Sequence, residues 1–272
     1  MIFYFGNMQI KSNKIFVLAL LFVMSLVLAF GCKKDKETSE ITPTPNVPES
    51  GYFNISIKHM FDTSNFVLND LYILDNGNKI SVSTYKYYIS NIKLTAEDGS
   101  SFSESESYHL VNADQPATCS FNIAKVPFKK YTSVSFIIGV DSTRNVSGAQ
   151  TGALDPALGM FWTWNTGYIM AKLEGTSQQS SAPGNSVAFH IGGFKGNFNA
   201  LKQVNISFNG NMANVTSTST PTLNLKNNIN EWFVNPNNLD LSITNNITSV
   251  NATSKSISDN YADIFSFKSI QN

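Results

Sequence analysis

Residues 51–61 read GYFNISIKHMF, and apolar and polar side chains alternate along them. Phe53, Ile55 and Ile57 fall on one face of an extended chain, because successive side chains of a β-strand point to opposite sides. The polar side chains between them fall on the other face. An alternation of this length predicts a β-strand with one buried face.

The same alternation recurs along the rest of the chain and predicts a fold made mostly of strands. Further strands are predicted at residues 86–97, 131–141, 186–194, 202–211, 238–246 and 262–270, with an Asp-Gly turn at 98–99. Short helices are predicted only near residues 198–204 and 230–233. Strands punctuated by Gly, Asn and Ser predict a mainly β domain, an antiparallel β-sandwich or barrel-like fold with long loops and few short helices.

Residues 1–31 have the pattern of a lipoprotein signal peptide. A short basic stretch precedes an apolar run over residues 15–30, and Gly31 and Cys32 follow as in a bacterial lipobox. Cys32 is therefore the predicted lipidation site, which would hold the protein at a membrane. The alternative is a plain membrane anchor with a chance cysteine. The predicted location is the bacterial cell envelope, lipid-anchored at the outer membrane on its periplasmic or surface face.

The chain after Cys32 divides into a tether and one domain. Residues 32–50 are rich in Lys, Glu, Ser, Thr and Pro without an aromatic residue, and predict a disordered tether. Residues 51–272 form the predicted β domain. A formal net charge of zero, with no basic stripe, argues against nucleic acid as a partner. Cys119 has no second cysteine in this domain, so it is interpreted as a small buried residue, with a metal ligand or a reactive thiol as alternatives.

The three histidines, His59, His109 and His190, do not belong to a local metal-binding motif. On its predicted strand His59 shares a face with Ile57 and should point into the domain. His190 precedes two glycines, which allow a close backbone approach. Each histidine by itself is interpreted as a structural or surface residue.

Residues 139–175 form an unusual Gly/Asn/Asp-rich stretch with two tryptophans one residue apart. In an extended chain Trp162 and Trp164 share one face. They predict either an aromatic layer packed under a long loop or an exposed platform for a glycan.

The same stretch offers carboxylates. Asp141 and Asp155 supply oxygen ligands of the kind that calcium prefers, but turns and helix caps are the preferred interpretation. The chain has no GxSxG, glycine-rich phosphate loop or HExxH motif, so the protein is not predicted to be an enzyme. An enzyme would need a cleft in which two carboxylates converge, for example with Asp155 or Glu174.

Four stretches resemble the MbnP-like family in their order and spacing. They lie at residues 85–99, 108–116, 135–175 and 189–194. The resemblance covers residues 52–270 and implies a β-rich lipoprotein that handles copper outside the cytoplasm. Family members are copper-binding exported proteins related to a periplasmic protein of methanobactin operons and to methanotroph surface copper proteins. The alternative is a surface lipoprotein that binds a glycan or a protein through its tryptophans and holds no metal.

In methanotroph members, copper is held by histidines and by a kynurenine made from tryptophan. The resemblance implies that His59 and His190 are the copper ligands, with His109 as an alternate. It also implies a partner, a di-haem protein of the cytochrome c peroxidase type, which performs the oxidation.

This sequence departs from that pattern at one position. The position of the modified tryptophan in a methanotroph relative holds Ile57 here, which leaves Trp162 and Trp164 as the candidates for oxidation. Met60 and Met160 offer thioethers, which suit the cuprous ion. A pair of histidine ligands would release the metal as the pH falls toward about 6.

Overall fold

The computed structural model describes residues 49–162 and 167–272. Strands predominate in these residues. The first eight are β1 Ser50–Phe61, β2 Ser64–Asn65, β3 Leu71–Ile73, β4 Lys79–Ala96, β5 Ser101–Ser103, β6 Tyr108–Asn112, β7 Ser120–Pro127 and β8 Lys130–Ile138. The next eight are β9 Phe161–Trp162, β10 Gly167–Thr176, β11 Ser186–Gly192, β12 Lys202–Ser207, β13 Ala213–Asn214, β14 Thr222–Asn228, β15 Asn246–Ile247 and β16 Phe265–Gln271. The predicted mainly β fold is thus confirmed.

Helices are short in the described residues. The α-helices are α1 Ser142–Asn145, α2 Glu231–Val234 and α3 Ala252–Asn260. The 3₁₀ turns are Pro116–Cys119, Gly152–Leu154, Pro156–Leu158, Pro183–Asn185, Gly196–Phe198 and Tyr261–Asp263. In this part of the chain, none of the helices has the length and apolar character needed to cross a membrane.

Two sheets pack face to face. The first sheet has the order β16-β14-β1-β2, with β7 also paired to β1. The second sheet has the order β12-β8-β4-β10-β11-β15, and the shorter strands add to β4, β8 and β10. Aromatic rings from the two inner faces meet between them, as where Phe265 lies 5.8 Å from Tyr87 and 5.1 Å from Phe136 between ring centroids. The interior is therefore a sandwich core.

The strand pairing departs from the expected all-antiparallel arrangement in two places. β1 and β14 run parallel, with Met60 opposite Asn228, and β11 and β15 also run parallel. A parallel pair needs a long crossover, and here every strand of the second sheet except β15 lies between β1 and β14 in the chain. Side-chain alternation does not report strand direction, so no local pattern indicated the two parallel pairs.

Two local expectations were wrong. The strand expected over residues 238–246 is absent up to residue 245, and β15 begins only at Asn246. The Asp240 carboxylate accepts a hydrogen bond from the Ser242 amide at 2.9 Å and closes a turn there. The helix expected near residues 198–204 is a 3₁₀ turn followed by β12. α3 was not expected; Asn251 and Ser254 form a capping box at its start.

Residues 139–162, here called the covering segment, lie over the outer face of the second sheet. Two lysines of the sheet donate hydrogen bonds to its carbonyls, Lys172 to Gly159 at 2.7 Å and Lys86 to Leu158 at 3.3 Å. Buried Asn145 accepts a hydrogen bond from the Tyr168 amide of β10 at 2.8 Å. The segment is thus fixed to the sheet at both ends.

Candidate functional site

One row of polar side chains crosses the outer face of the second sheet beside the covering segment. Lys172 of β10 pairs with Lys86 of β4 on one side and with His190 of β11 on the other. Directly opposed residues of neighbouring strands share a face, so these three side chains project together. Their neighbours along the strands, such as Leu173 and Phe189, are buried in the sandwich core.

His190 forms an imidazole–carboxylate pair with Glu174. Its Nε2 lies 2.6 Å from Glu174 Oε1, and the side chains are 19% and 36% exposed. The hydrogen bond from His190, aided by the Lys172 ammonium 3.8 Å away, lowers the pKa of Glu174 to about 2. Burial lowers the pKa of Lys172. An ionised carboxylate and a partly exposed ring nitrogen therefore lie together at this point.

Trp162 packs against β11 at Gly192, two residues after His190. A Cβ placed on Gly192 would come 2.3 Å from Cζ3 of the Trp162 ring, so the indole rests directly on that glycine. Gly192 is two residues after His190 on β11 and therefore on the same face. Trp162 is only 5% exposed. Trp164 lies outside the described residues.

His59 lies on the inner side of the sandwich. Its ring packs edge-on against Tyr85 and Tyr87, with centroid distances of 5.3 and 5.8 Å. Its Nε2 makes a 3.0 Å hydrogen bond with the Tyr87 hydroxyl. Burial lowers the pKa of His59 to about 4, because the charged imidazolium loses its hydration there. The ring is therefore neutral near neutral pH.

The structure does not bring His59 and His190 together. Tyr85 and Tyr87, which contact His59, flank Lys86 on β4 and so point to the inner face. His190 belongs to the row of Lys86 on the outer face. The second sheet separates the two imidazoles, so the expected sharing of one copper ion does not fit this arrangement. The family resemblance could not reveal this, because it carries no information on which face each strand presents.

His109 forms a second imidazole–carboxylate pair, at β6. Its Nε2 lies 2.9 Å from Glu104 Oε2, and its ring stacks on Phe121 at a centroid distance of 3.9 Å. The Ser107 hydroxyl donates to the same carboxylate at 2.6 Å. The side chain of Glu104 is only 12% exposed.

The other candidate soft ligands are buried or half-buried. Met60 is 7% exposed and follows His59 on β1, so the two side chains point to opposite sides. Met160 is fully buried in the covering segment. Cys119 packs against the core, and burial raises the pKa of its thiol. A raised pKa disfavours the thiolate, which is the form that reacts or binds metal.

The two predicted calcium candidates cap turns. Asp141 accepts hydrogen bonds from the Thr143 and Arg144 amides at 2.9 and 3.2 Å and from the Tyr108 hydroxyl at 2.6 Å. Asp155 accepts one from the Ala157 amide at 2.8 Å. The preferred interpretation, capping, accounts for both carboxylates. Across residues 49–162 and 167–272, there is no group of three or more His, Cys, Asp or Glu arranged to hold a metal ion.

A comparison with protein families matches most of the described domain, including the residues of the outer face of the second sheet. The family model described as MbnP matches residues 50–253, which include the covering segment, His190 and Gly192. The chain belongs to the MbnP family. No curated protein matches it.

One solved structure is similar to this chain in its fold. MbnP from Methylosinus trichosporium superposes with a TM-score of 0.50 and 13% sequence identity, covering 75% of this chain and 83% of that chain. At this identity the likeness shows the fold.

Glu174, Lys172 and Gly192 take part in the site in ways that sequence reasoning missed. Glu174 was considered only as an oxygen donor beside the tryptophan block and as a carboxylate of the enzyme alternative. On the sheet it lies opposite Ala188, two residues before His190 on the next strand. Gly192 carried a local signal, the glycine pair after His190, which indicated close approach without naming the group that approaches. Strand register supplies the missing information.

Proposed function

We propose that this chain is an exported, membrane-tethered protein that binds copper at His190 and Glu174 on the outer face of the second sheet. The observation that carries the proposal is the contact of Trp162 with Gly192, two residues from His190. It brings together two of the four stretches that resemble the copper-binding family, the one with the tryptophans and the one around His190. Cys32, lipidated at the outer membrane, is the proposed tether.

The donor atoms suit copper as a cargo. A neutral imidazole nitrogen and a carboxylate oxygen are ligands that Cu²⁺ accepts readily. His190 Nε2 faces Glu174 Oε1 at 2.6 Å. A copper ion that took the place of this hydrogen bond would find a nitrogen and an oxygen donor side by side. Two protein donors leave coordination positions open. An ion held in this way exchanges readily, which fits acquisition or delivery better than a permanent structural role.

Lys172 sets the charge of the site. Its ammonium lies 3.8 Å from Glu174, and its hydrogen bond to Gly159 fixes the covering segment beside the pair. A copper ion at His190 replaces the hydrogen bond between the ring and Glu174, while Lys172 limits the negative charge available to it.

The proposed redox partner is a di-haem protein of the cytochrome c peroxidase type. Its support is the family resemblance, together with the position of Trp162 beside His190. Oxidation of an indole at this place would put new donor atoms next to the imidazole.

The test is copper binding by the purified domain and its single variants. His190→Ala and Glu174→Gln are each expected to weaken copper binding about tenfold or more, as loss of a ligand or of its orienting partner does. The matched control is His109→Ala, which removes the other imidazole–carboxylate pair. Isothermal titration with Cu²⁺ gives the affinities, and electron paramagnetic resonance reports whether nitrogen donors are bound.

Equal copper binding by wild type and His190→Ala would overturn the assignment to this face. Loss of binding in His59→Ala alone would return the site to the interior of the sandwich. The glycan-binding alternative needs exposed indoles, and Trp162 at 5% exposure does not offer one.

A further inference from the structure

The oxidation state of copper that the proposed site prefers depends on the donors that reach His190 and Glu174. The pair itself offers an imidazole nitrogen and carboxylate oxygens, with His190 Nε2 2.6 Å from Glu174 Oε1. Nitrogen and oxygen donors in a tetragonal set are typical of Cu²⁺, whereas thiolates and thioethers select Cu⁺. A sulfur atom or a second imidazole beside the pair would therefore favour the cuprous ion.

The thioether of Met170 on β10 points away from His190. Its Sδ accepts a hydrogen bond from the Val140 amide at 3.2 Å, and the residue is fully buried. A Cβ placed on Gly139 would lie 2.9 Å from that sulfur, and the Gly139 amide donates to the carbonyl of Tyr88 on β4 at 3.0 Å. The sulfur thus lies on the β4 side of β10, whereas β11 with His190 lies on the other side.

Met160 lies nearer to the pair but is enclosed by the covering segment. Lys172 donates to the carbonyl of the preceding residue, Gly159, at 2.7 Å, and the Ile169 amide donates to the Met160 carbonyl at 2.9 Å. Met160 is 0% exposed, whereas the side chain of His190 is 19% exposed. The thioether is therefore held in the packing beneath the segment, while the imidazole reaches the surface.

The other sulfur atoms of residues 49–162 and 167–272 lie on other elements. Cys119 Sγ is 3.9 Å from the Asn112 carbonyl of β6, and β4 and β10 lie between β6 and β11. Met60 belongs to β1 of the first sheet, and Met212 precedes β13, which pairs with β8. Within the described ranges, the pair thus has nitrogen and oxygen donors without sulfur.

The two other imidazoles are on the inner side of the second sheet. His59 makes its hydrogen bond with Tyr87 there. His109 lies opposite Ile89 of β4, which is fully buried and two residues after Tyr87. Opposed residues of neighbouring strands share a face, so His109 also points inward. His190 is therefore the one histidine of the three that projects from the outer face.

We propose that His190 and Glu174 hold copper as Cu²⁺ and release it when the ion is reduced to Cu⁺. The inference rests on the proposed function, because it concerns the same two ligands. Cu²⁺ is coordinated by the imidazole nitrogen, the carboxylate oxygen and water. Cu⁺ finds a single imidazole and lacks the sulfur ligands that select it, so the site holds it more weakly.

Release consumes one electron and no net proton. In the free site the neutral ring of His190 donates its Nε2 proton to the ionised Glu174, and with copper on Nε2 the ring carries that proton on Nδ1. A small one-electron reductant of the ascorbate class converts Cu²⁺ to Cu⁺. The bonds from copper to Nε2 and to the carboxylate then break, and the proton returns to Nε2.

Anaerobic reduction of the copper-loaded full chain tests the inference. The chain is loaded with Cu²⁺, freed of excess metal, treated with ascorbate in dilute acetonitrile, which keeps free Cu⁺ in solution, and separated by gel filtration. Wild type is expected to keep its copper without ascorbate and to lose it with ascorbate. Cu⁺ should bind about tenfold or more weakly than Cu²⁺, which lowers the potential of the bound ion by about 59 mV or more relative to the aqueous ion.

A variant that retains copper guards against unspecific loss. Ala188 lies opposite Glu174 and two residues before His190, so it shares their face. Ala188→His places a second imidazole beside the pair and should keep copper after reduction. Ala124→His, at an exposed position of β7 in the first sheet, is the matched control and should lose copper as wild type does.

Retention of copper by wild type after reduction would overturn the inference, and so would equal loss from wild type and Ala188→His. Met160→Leu should behave as wild type. Weaker Cu⁺ binding in this variant than in wild type would show that the thioether reaches the site, and would overturn the inference too. A wild type that binds no Cu²⁺ at the start would instead refute the proposed function, and this inference with it.

Discussion

At the scale of single residues, the three imidazoles of this chain are distinguished by their partners. The His59 ring is hydrogen-bonded to a tyrosine hydroxyl and packs against aromatic rings. The rings of His109 and His190 are each hydrogen-bonded to a carboxylate. A carboxylate partner orients a ring that stays available at the surface. In the interior, the Tyr87 hydroxyl instead provides a hydrogen-bond partner for the neutral His59 ring. The sequence shows three histidines of similar local context, and only their neighbours in space separate their roles.

The buried imidazole of His59 predicts a loss of stability in mild acid. Its pKa is about 4 in the folded protein, against an ordinary value of 6.5, so the unfolded chain binds the proton more tightly. The neutral His59 imidazole contributes fully to the free energy of unfolding above pH 6.5. As the pH falls toward 4, that free energy decreases by about 3 kcal/mol. Urea unfolding followed across this range measures it.

His59→Gln keeps a polar group near the Tyr87 hydroxyl and cannot take up the proton. It should flatten the pH dependence between 6.5 and 4, whereas His109→Gln should leave it in place. An unchanged slope in His59→Gln would mean that another group titrates in this range.

At the scale of elements, the covering segment and strand β11 form one unit. Lysine hydrogen bonds at Leu158 and Gly159 hold the segment, and the indole of Trp162 fills the space that Gly192 leaves open. Without a Cβ at that position the ring can lie flat against the backbone of the strand. The packing of the segment therefore decides which groups surround His190.

Gly192→Ala tests this unit. The added Cβ would overlap the Trp162 ring, and overpacking of this kind costs about 1–3 kcal/mol in the free energy of unfolding. The near-ultraviolet circular dichroism of the tryptophans should change with it. In a Trp162→Leu background the same substitution should cost clearly less, because the two residues are in contact. Equal costs in both backgrounds would contradict the contact.

At the scale of the whole molecule, the expected arrangement is a lipid anchor, a tether and one β-sandwich. The family match over residues 50–253 and the described fold account for the sandwich. Anchor and tether remain predictions from the first fifty residues. Such an arrangement would tether the proposed copper-binding face to a membrane while leaving it free to meet partners.

Cys32→Ser in the full-length chain tests the anchor. Wild type is expected in the membrane fraction of a bacterial host and in the detergent phase after Triton X-114 partitioning. The variant should lose the lipid and shift to the aqueous phase, because acyl chains supply the membrane affinity. A variant that stays in the membrane fraction would favour the alternative of a plain anchor.

Much of the fold followed from local pattern. Six strands were expected close to their observed positions: β1, β4, β8, β11, β12 and β16. Apolar and polar residues alternate along a half-buried strand, so its own sequence reveals it. Residues 238–246 show the limit. Apolar residues alternate there too, but Asp240 and Ser242 close a turn, and Leu239 and Leu241 are buried by contacts with distant parts of the chain.

The sequence by itself determined the fold class, the family and the residue types available for chemistry, since each depends on local pattern or on ordered motifs. The tertiary structure decided which of these residues meet. It placed His59 and His190 on opposite faces of one sheet, and it joined Trp162 to Gly192 and Asp62 to Asn230. The physical reason is register and strand direction: they fix which face and which end each side chain reaches, and they are set by long-range pairing rather than by neighbours in the chain.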